Sequence, residues 1–204
     1  MEFFDLTHTF TNNLLPFPGD VPPTLVPTAS VAADGHANFR LTTGMHVGTH
    51  MDAPAHMAEG GKLIADFPAE RFITKAHIVD ARGLKTIPRR LLIGLETKPN
   101  EAVLVCTGWD GHFGSNNYFE NYPVFEKGFI EDCIASGISF IGMDTPSPDY
   151  APYELHKLMF AKDMLIIENL TNVNSLLSLE TCQVAALPMK LTADSAPCRV
   201  VAWA

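Results

Sequence analysis

The segment His46-Val47-Gly48-Thr49-His50-Met51-Asp52-Ala53-Pro54-Ala55-His56 gathers three imidazoles and one carboxylate into eleven residues, all at even offsets from His46. In a straight strand that spacing puts the four side chains on one face, but at about 3.3 Å per residue His46 and His50 stand roughly 13 Å apart, too far for one ion. A helix aligns His46 with His50 but turns Asp52 to another side, and Gly48 and Pro54 oppose a helix. The chain is therefore expected to curl, outside any regular element. Gly48 permits the backbone angles a curl needs, and Pro54 stiffens the exit. Imidazole nitrogens and a carboxylate then converge on a divalent ion at about 2.0 to 2.2 Å. Three protein donors leave coordination positions open, as a catalytic site requires, because water bound there becomes a hydroxide source near neutral pH. A polar loop accounts for one surface histidine and is a poor account of four donors in so short a run.

Outward from this segment the chain reads as alternating short strands and helices. Phe3 to Phe10 has strand composition, and Asn12-Asn13 and Pro16-Phe17-Pro18-Gly19-Asp20 supply turn chemistry after it. Residues 37–46 read as a polar-alternating strand. The runs 76–81 and 102–107 are apolar and bounded by turn signals, as buried strands are. Pro88 to Leu95 reads as a short helix. Glu126 to Ala135 carries Phe129, Ile130, Cys133 and Ile134 at helical spacing, with Gly137 as a stop. Strands are expected again at 138–143, 164–167, 182–187 and 199–203. No repeat or linker interrupts the pattern, so one domain over 1–204 is expected, of α/β class with more sheet than helix and mixed strand directions.

Composition limits the partners. The 204 residues include 23 acidic and 14 basic side chains, a formal charge of −9, with no Lys/Arg run, which argues against nucleic acid and anionic lipid. No stretch reaches the roughly 18 apolar residues of a membrane span, and the start lacks the features of a signal peptide, so the reading is cytoplasmic. Cys106, Cys133, Cys182 and Cys198 form no C-x-x-C pair and read as reduced, packed thiols. No G-x-S-x-G elbow, P-loop, Rossmann fingerprint or H-E-x-x-H is present. Asp144 to Asp149 offers carboxylates for orienting imidazoles, and turn chemistry explains them equally well. His8, His36 and His77 read as surface or core residues.

The pattern H-x-G-T-H-x-D-x-P-x-H over residues 46–56 resembles the signature of the cyclase-like metal-dependent hydrolases, a family that includes bacterial kynurenine formamidases. The likeness extends from Phe4-Asp5-Leu6-Thr7 through the P-G-D segment to Leu187-Pro188-Met189-Lys190-Leu191. It implies a swivelling β/β/α domain with a mixed sheet, usually assembled as a homodimer or higher oligomer. It also implies two divalent ions, Zn²⁺ or Mn²⁺. His46, His50 and Asp52 would hold the first ion, and Asp52, His156 and Glu168 the second, with Glu168 touching both. His156 and Glu168 stand at the twelve-residue separation typical of the family. His56 would then act as general acid and base. The implied partner is a small aromatic N-formyl or related amide. The family's formamidases carry a tryptophan near P-G-D for the substrate ring, where this chain has Phe17, which can stack but offers no indole donor.

Apart from the resemblance, His156 reads more readily as a histidine satisfied in the core of a helical stretch than as a ligand. Glu168 ends the apolar run 164–167, where a strand tip carries a carboxylate to the sheet rim and where a metal or a basic partner must meet it. Phe17 is either a packing residue or a substrate contact. The Pro-rich arm 10–27 has the extended character of a segment that reaches a neighbouring subunit. Ring-opening of an isatin-type lactam, ring-closing chemistry and a non-catalytic metal scaffold stand as alternatives to amide cleavage.

Overall fold

Ala102-Val103-Leu104-Val105-Cys106 is buried at every position, and its residues divide by parity between two cores. Ala102, Leu104 and Cys106 join one apolar cluster, whereas Val103 and Val105 join another. A strand covered on both faces has this near-continuous apolar composition. Leu165 and Ile167 face the first cluster and Ile166 the second, so the same layering holds several strands away.

The computed structural model describes residues 1–204. In chain order the strands are β1 (Phe3–Asp5), β2 (Thr24–Ala29), β3 (Asn38–Thr42), β4 (His50–Asp52), β5 (Ile73–Asp80), β6 (Thr86–Ile87), β7 (Ala102–Cys106), β8 (Val124–Phe125), β9 (Phe140–Met143), β10 (Leu165–Glu168), β11 (Thr181–Pro188) and β12 (Ser195–Trp203). The helices are α1 (Val31–Asp34), α2 (Lys127–Ala135) and α3 (Glu154–Phe160). Eight strands form one sheet in the order β1-β12-β11-β5-β7-β9-β10-β4, and β4 also pairs with β12, so the sheet closes on itself. β5, β7, β9 and β10 run parallel, while β11, β12, β1 and β4 add antiparallel edges. The mixed α/β class expected from the alternation is the one observed. The first cluster lies inside the closed sheet, and α2 and α3 cover the second on its outer face.

Several boundaries differ from the sequence reading. The opening strand stops at Asp5, whose Oδ1 accepts the Thr7 N–H, so the chain turns before Phe10. The 37–46 strand shortens to β3, which pairs with β2 in a hairpin separate from the main sheet. Residues 88–95 form only a 3₁₀ turn, Arg89–Leu92, ahead of Gly94 at a φ of +89°. The donor-rich segment 46–56, expected to lie outside regular structure, contains β4. The final strand begins four residues earlier than expected because Ser195 to Pro197 pair with β4. No helix is long and apolar enough to cross a membrane.

Candidate metal centre and pocket

The expected curl occurs at Gly48, which adopts a φ of +67°. That single left-handed residue folds His46 back over β4, so His46 and His50 rings meet edge to face with centroids 5.2 Å apart. Within β4, His50 and Asp52 share one face. β10 lies antiparallel to β4 with His50 opposite Glu168 and Asp52 opposite Ile166, which delivers the Glu168 carboxylate to that same face. α3 packs over it and contributes His156, and a 3₁₀ turn Pro54–His56 brings His56 in from the side.

The donor atoms interlock. His46 Nδ1 lies 3.0 Å from Asp52 Oδ1 and His50 Nε2 lies 3.5 Å from the same oxygen. Glu168 divides its oxygens, with Oε2 3.3 Å from His50 Nε2 and Oε1 3.3 Å from His156 Nε2. His46, Asp52 and His56 form one grouping of mutually close donors, and His50, Asp52 and Glu168 another. His156 reaches the cluster only through Glu168. All five expected ligands and His56 therefore meet in one place, though the geometry groups His50 with Glu168 rather than with His46.

Two observations show that these residues suit a cation. Asp52 is 1% exposed, and neither of its oxygens receives a hydrogen bond. A buried carboxylate without donors is costly unless a positive charge compensates it. Second, His50 Nδ1 lies 2.8 Å from the Gly48 carbonyl, which can only accept, so Nδ1 carries the hydrogen. Its buried Nε2 lacks a partner and faces carboxylates, an arrangement that calls for a metal ion or a proton. The electrostatics agree. Burial alone lowers the His46 pKa, but Asp52, Glu168 and Asp194 overcome it and raise it to about 10. Burial likewise opposes, and Asp149 and Glu168 outweigh, in raising His156 to about 9. Burial acts against ionisation of Asp52, yet His50 and His46 hold it well below the usual carboxylate range.

A further set of residues holds the donors in place. His156 Nδ1 donates to Asp149 Oδ1 at 2.6 Å, so the Asp144–Asp149 stretch does orient an imidazole through Asp149. Asp144 has another role, accepting the Thr107 and Gly108 N–H groups and the Thr107 hydroxyl. Asn169 Nδ2 donates to the Gly48 carbonyl at 3.0 Å and Tyr118 donates to Asn169 Oδ1 at 2.8 Å, bracing the curl. Asp194, which the sequence reading passed over, places Oδ2 3.1 Å from His46 Nε2 and 3.0 Å from His56 Nδ1. A carboxylate directly ahead of the final apolar strand was its only signal. His8 stacks on Phe113 at 3.6 Å and donates its backbone N–H to Thr49 Oγ1, while His77 pairs with Glu101 at 2.6 Å, and neither lines the cleft.

The donors floor a cleft of about 230 Å³, whose walls include Phe17, Met57, Phe119 and Tyr153. Phe17 meets Phe119 edge to face at 5.4 Å, so it is both packed and exposed to the cleft.

Comparison with known proteins agrees with this architecture. Residues 4–150 match the family described as "Putative cyclase". A kynurenine formamidase of Bacillus cereus is 30% identical over 205 residues, covering 98% of this chain and 96% of that protein. An isatin hydrolase bound to the product analogue thioisatinate superposes with a TM-score of 0.87 at 21% identity, covering 98% of this chain and 91% of its own. Isatin hydrolase A from Ralstonia solanacearum gives a TM-score of 0.86 at 22% identity, over 98% and 91% of the two chains. At those identities the structural likeness speaks for the fold, and it is the family match over most of the sequence, joined by a full-length relative, that places this chain in the cyclase family.

Proposed function

We propose that this chain is a metal-dependent amidohydrolase, working as a single hydrolase domain, that cleaves a small aromatic N-formyl amide. The observation that carries the reading is the Glu168 carboxylate, which sends one oxygen to His50 and the other to His156 beside the donorless Asp52. His46, His50, Asp52, His156 and Glu168 would hold two divalent ions, Zn²⁺ or Mn²⁺, since this mixture of imidazole and carboxylate suits either. When bound, such ions lower the pKa of water and polarise a carbonyl oxygen.

The remaining work falls to side chains. Asp194 accepts from His56 Nδ1, which fixes the tautomer and leaves Nε2 to exchange a proton. His56 takes a proton from the attacking water as its oxygen bonds to the formyl carbon, then returns it to the nitrogen as the C–N bond breaks, giving formate and an arylamine. Phe17 and Phe119 supply aromatic walls for the ring. The 30% identical formamidase supports the choice of a formyl amide. Removing metal with a chelator, restoring Zn²⁺ or Mn²⁺ and assaying N-formylkynurenine beside formanilide and a cyclic amide tests the reading. Turnover that survives complete metal removal, or that is confined to the cyclic amide, refutes it.

A homo-oligomer is part of the proposal. The β2–β3 hairpin stands outside the main sheet with Val31, Phe39 and Leu41 exposed, and an isolated two-stranded hairpin is marginal in water. Sedimentation that shows only monomer refutes this part.

A further inference from the structure

The 3₁₀ turn Arg89–Leu92 packs against α2, and with the residues that follow it leaves a groove of about 500 Å³ beside the C-terminal half of that helix. The groove shares no residue with the cleft above the donor cluster and is the larger of the two. Its size falls within the roughly 300 to 1,000 Å³ typical of small-molecule sites. The floor is Val103 of β7 with Cys133 and Ile138, all buried and apolar. Burial pushes the Cys133 thiol up to about 12, so the floor carries no charge at neutral pH. Leu92 and Leu95 form a wall, and Ile93 between them is left 82% exposed.

The charged side chains that line the groove are Arg89, Arg90 and Asp132. Arg89 is committed to Asp132, donating through Nε at 3.1 Å and Nη2 at 2.7 Å to its two oxygens. Gly128 makes room for that pairing, because a Cβ there would stand 3.0 Å from Arg89 Cδ. Arg90 is exposed and has no carboxylate partner, and the Thr97 and Ser136 hydroxyls make no hydrogen bond within the chain. The rim therefore offers one unpaired cation and two free hydroxyls above an apolar floor. A guanidinium fork matches the two oxygens of a carboxylate, and hydroxyls can add donors to the same group. We propose that this groove is a second ligand site, which takes a small amphiphile whose apolar body lies on Val103, Cys133 and Ile138 and whose carboxylate meets Arg90, Thr97 and Ser136. The proposal stands apart from the amidohydrolase reading, since none of these residues belongs to the donor cluster.

Calorimetry of the metal-loaded protein with octanoate, octanol and octylammonium, which share one apolar body and differ in the head, tests this. Octanoate is expected to bind about two- to fivefold more tightly than octanol, the size an exposed ion pair supplies, and octylammonium more weakly than either. The preference shrinks at high ionic strength. Arg90→Gln erases it without changing the affinity for octanol, and Arg90→Lys restores it in part. Ala135 lines the groove from the exposed end of α2, so Ala135→Trp fills the space without entering the core and abolishes binding of all three. Absence of octanoate binding, or equal binding of octanoate and octylammonium by the wild type, overturns the proposal. Octanoate binding that survives in Ala135→Trp places the carboxylate elsewhere, at the metal centre for instance, and overturns it too. So does an Ala135→Trp variant that fails only in self-association by sedimentation, which would make the groove a contact between copies of this chain.

Discussion

His156 is held by Asp149, whose Oδ1 accepts from its Nδ1 at 2.6 Å while Oδ2 accepts the Leu155 N–H at 2.6 Å. An ionised carboxylate can only accept, so the bond fixes the hydrogen on Nδ1 and turns the Nε2 lone pair toward Glu168. Asp149→Ala should therefore weaken metal binding by about 10- to 100-fold. Competition against a chromophoric chelator measures it, and an unchanged affinity would separate Asp149 from the metal centre.

His56 lies close enough to His46 and Asp52 to count as a donor, yet its Nδ1 is engaged by Asp194. The proton-carrier role proposed for it makes it dispensable for metal binding. His56→Ala should keep full metal content while kcat falls by about 10²- to 10⁴-fold. Elemental analysis alongside the assay distinguishes the roles, because loss of an ion would make His56 a ligand.

Asp194 serves His46 and His56 through a single oxygen, Oδ2. Asp194→Asn can present an amide nitrogen to either ring and so favours the wrong tautomer of His56. A fall in kcat of about tenfold or more with KM little changed is expected, since orientation and not substrate binding is lost. A change confined to KM would contradict this.

Asp144 is 1% exposed, and burial, only partly opposed by the Thr107 and Gly108 donors, raises its pKa from 3.8 to about 6. The folded-state value stands above that of the unfolded chain. Its contribution to stability is therefore complete below about pH 3.8 and is lost as pH rises through about 6, a change of about 3 kcal/mol. The stability difference between wild type and Asp144→Asn should shift against the wild type between pH 4 and 7 by about that amount. Urea denaturation at the two pH values measures it, and a pH-independent difference would contradict the assignment.

Gly48 turns the chain at a φ of +67°, and a methyl group on its Cα would stand 3.1 Å from Leu14 Cδ1. Gly48→Ala should cost about 1 to 2 kcal/mol from the left-handed backbone alone and displace His46 from Asp52. Lowered thermal stability accompanied by loss of bound metal is the expected pair of results.

Much of this site was legible because its donors are concentrated in sequence. His46, His50, Asp52 and His56 fall in one run, and the conflict between their spacing and any straight element already required a bend at Gly48. Glu168 was visible as a carboxylate closing an apolar strand. Asp194 and Asn169 were not, because their roles arise from pairings across the sheet: Asn169 reaches back to Gly48, and Asp194 is brought in where β12 meets β4. The fold shows the same division. Strands covered on both faces announced themselves by apolar runs, whereas β4, three residues long and built of His, Met and Asp, owes its form to partners on either side. The Pro88 to Leu95 helix failed because a Pro-led, Gly-ended segment had room for only one turn.

That doubly paired strand has a consequence for how the protein matures. β4 is gripped by β10 on one flank and by Ser195 to Pro197 on the other, so the bed for the ions is finished by residues almost 150 positions downstream. A nascent chain still short of Pro197 has an open seam where the cation cluster must form. Full pairing of the strand that carries His50 and Asp52 therefore waits for Ser195 to Pro197.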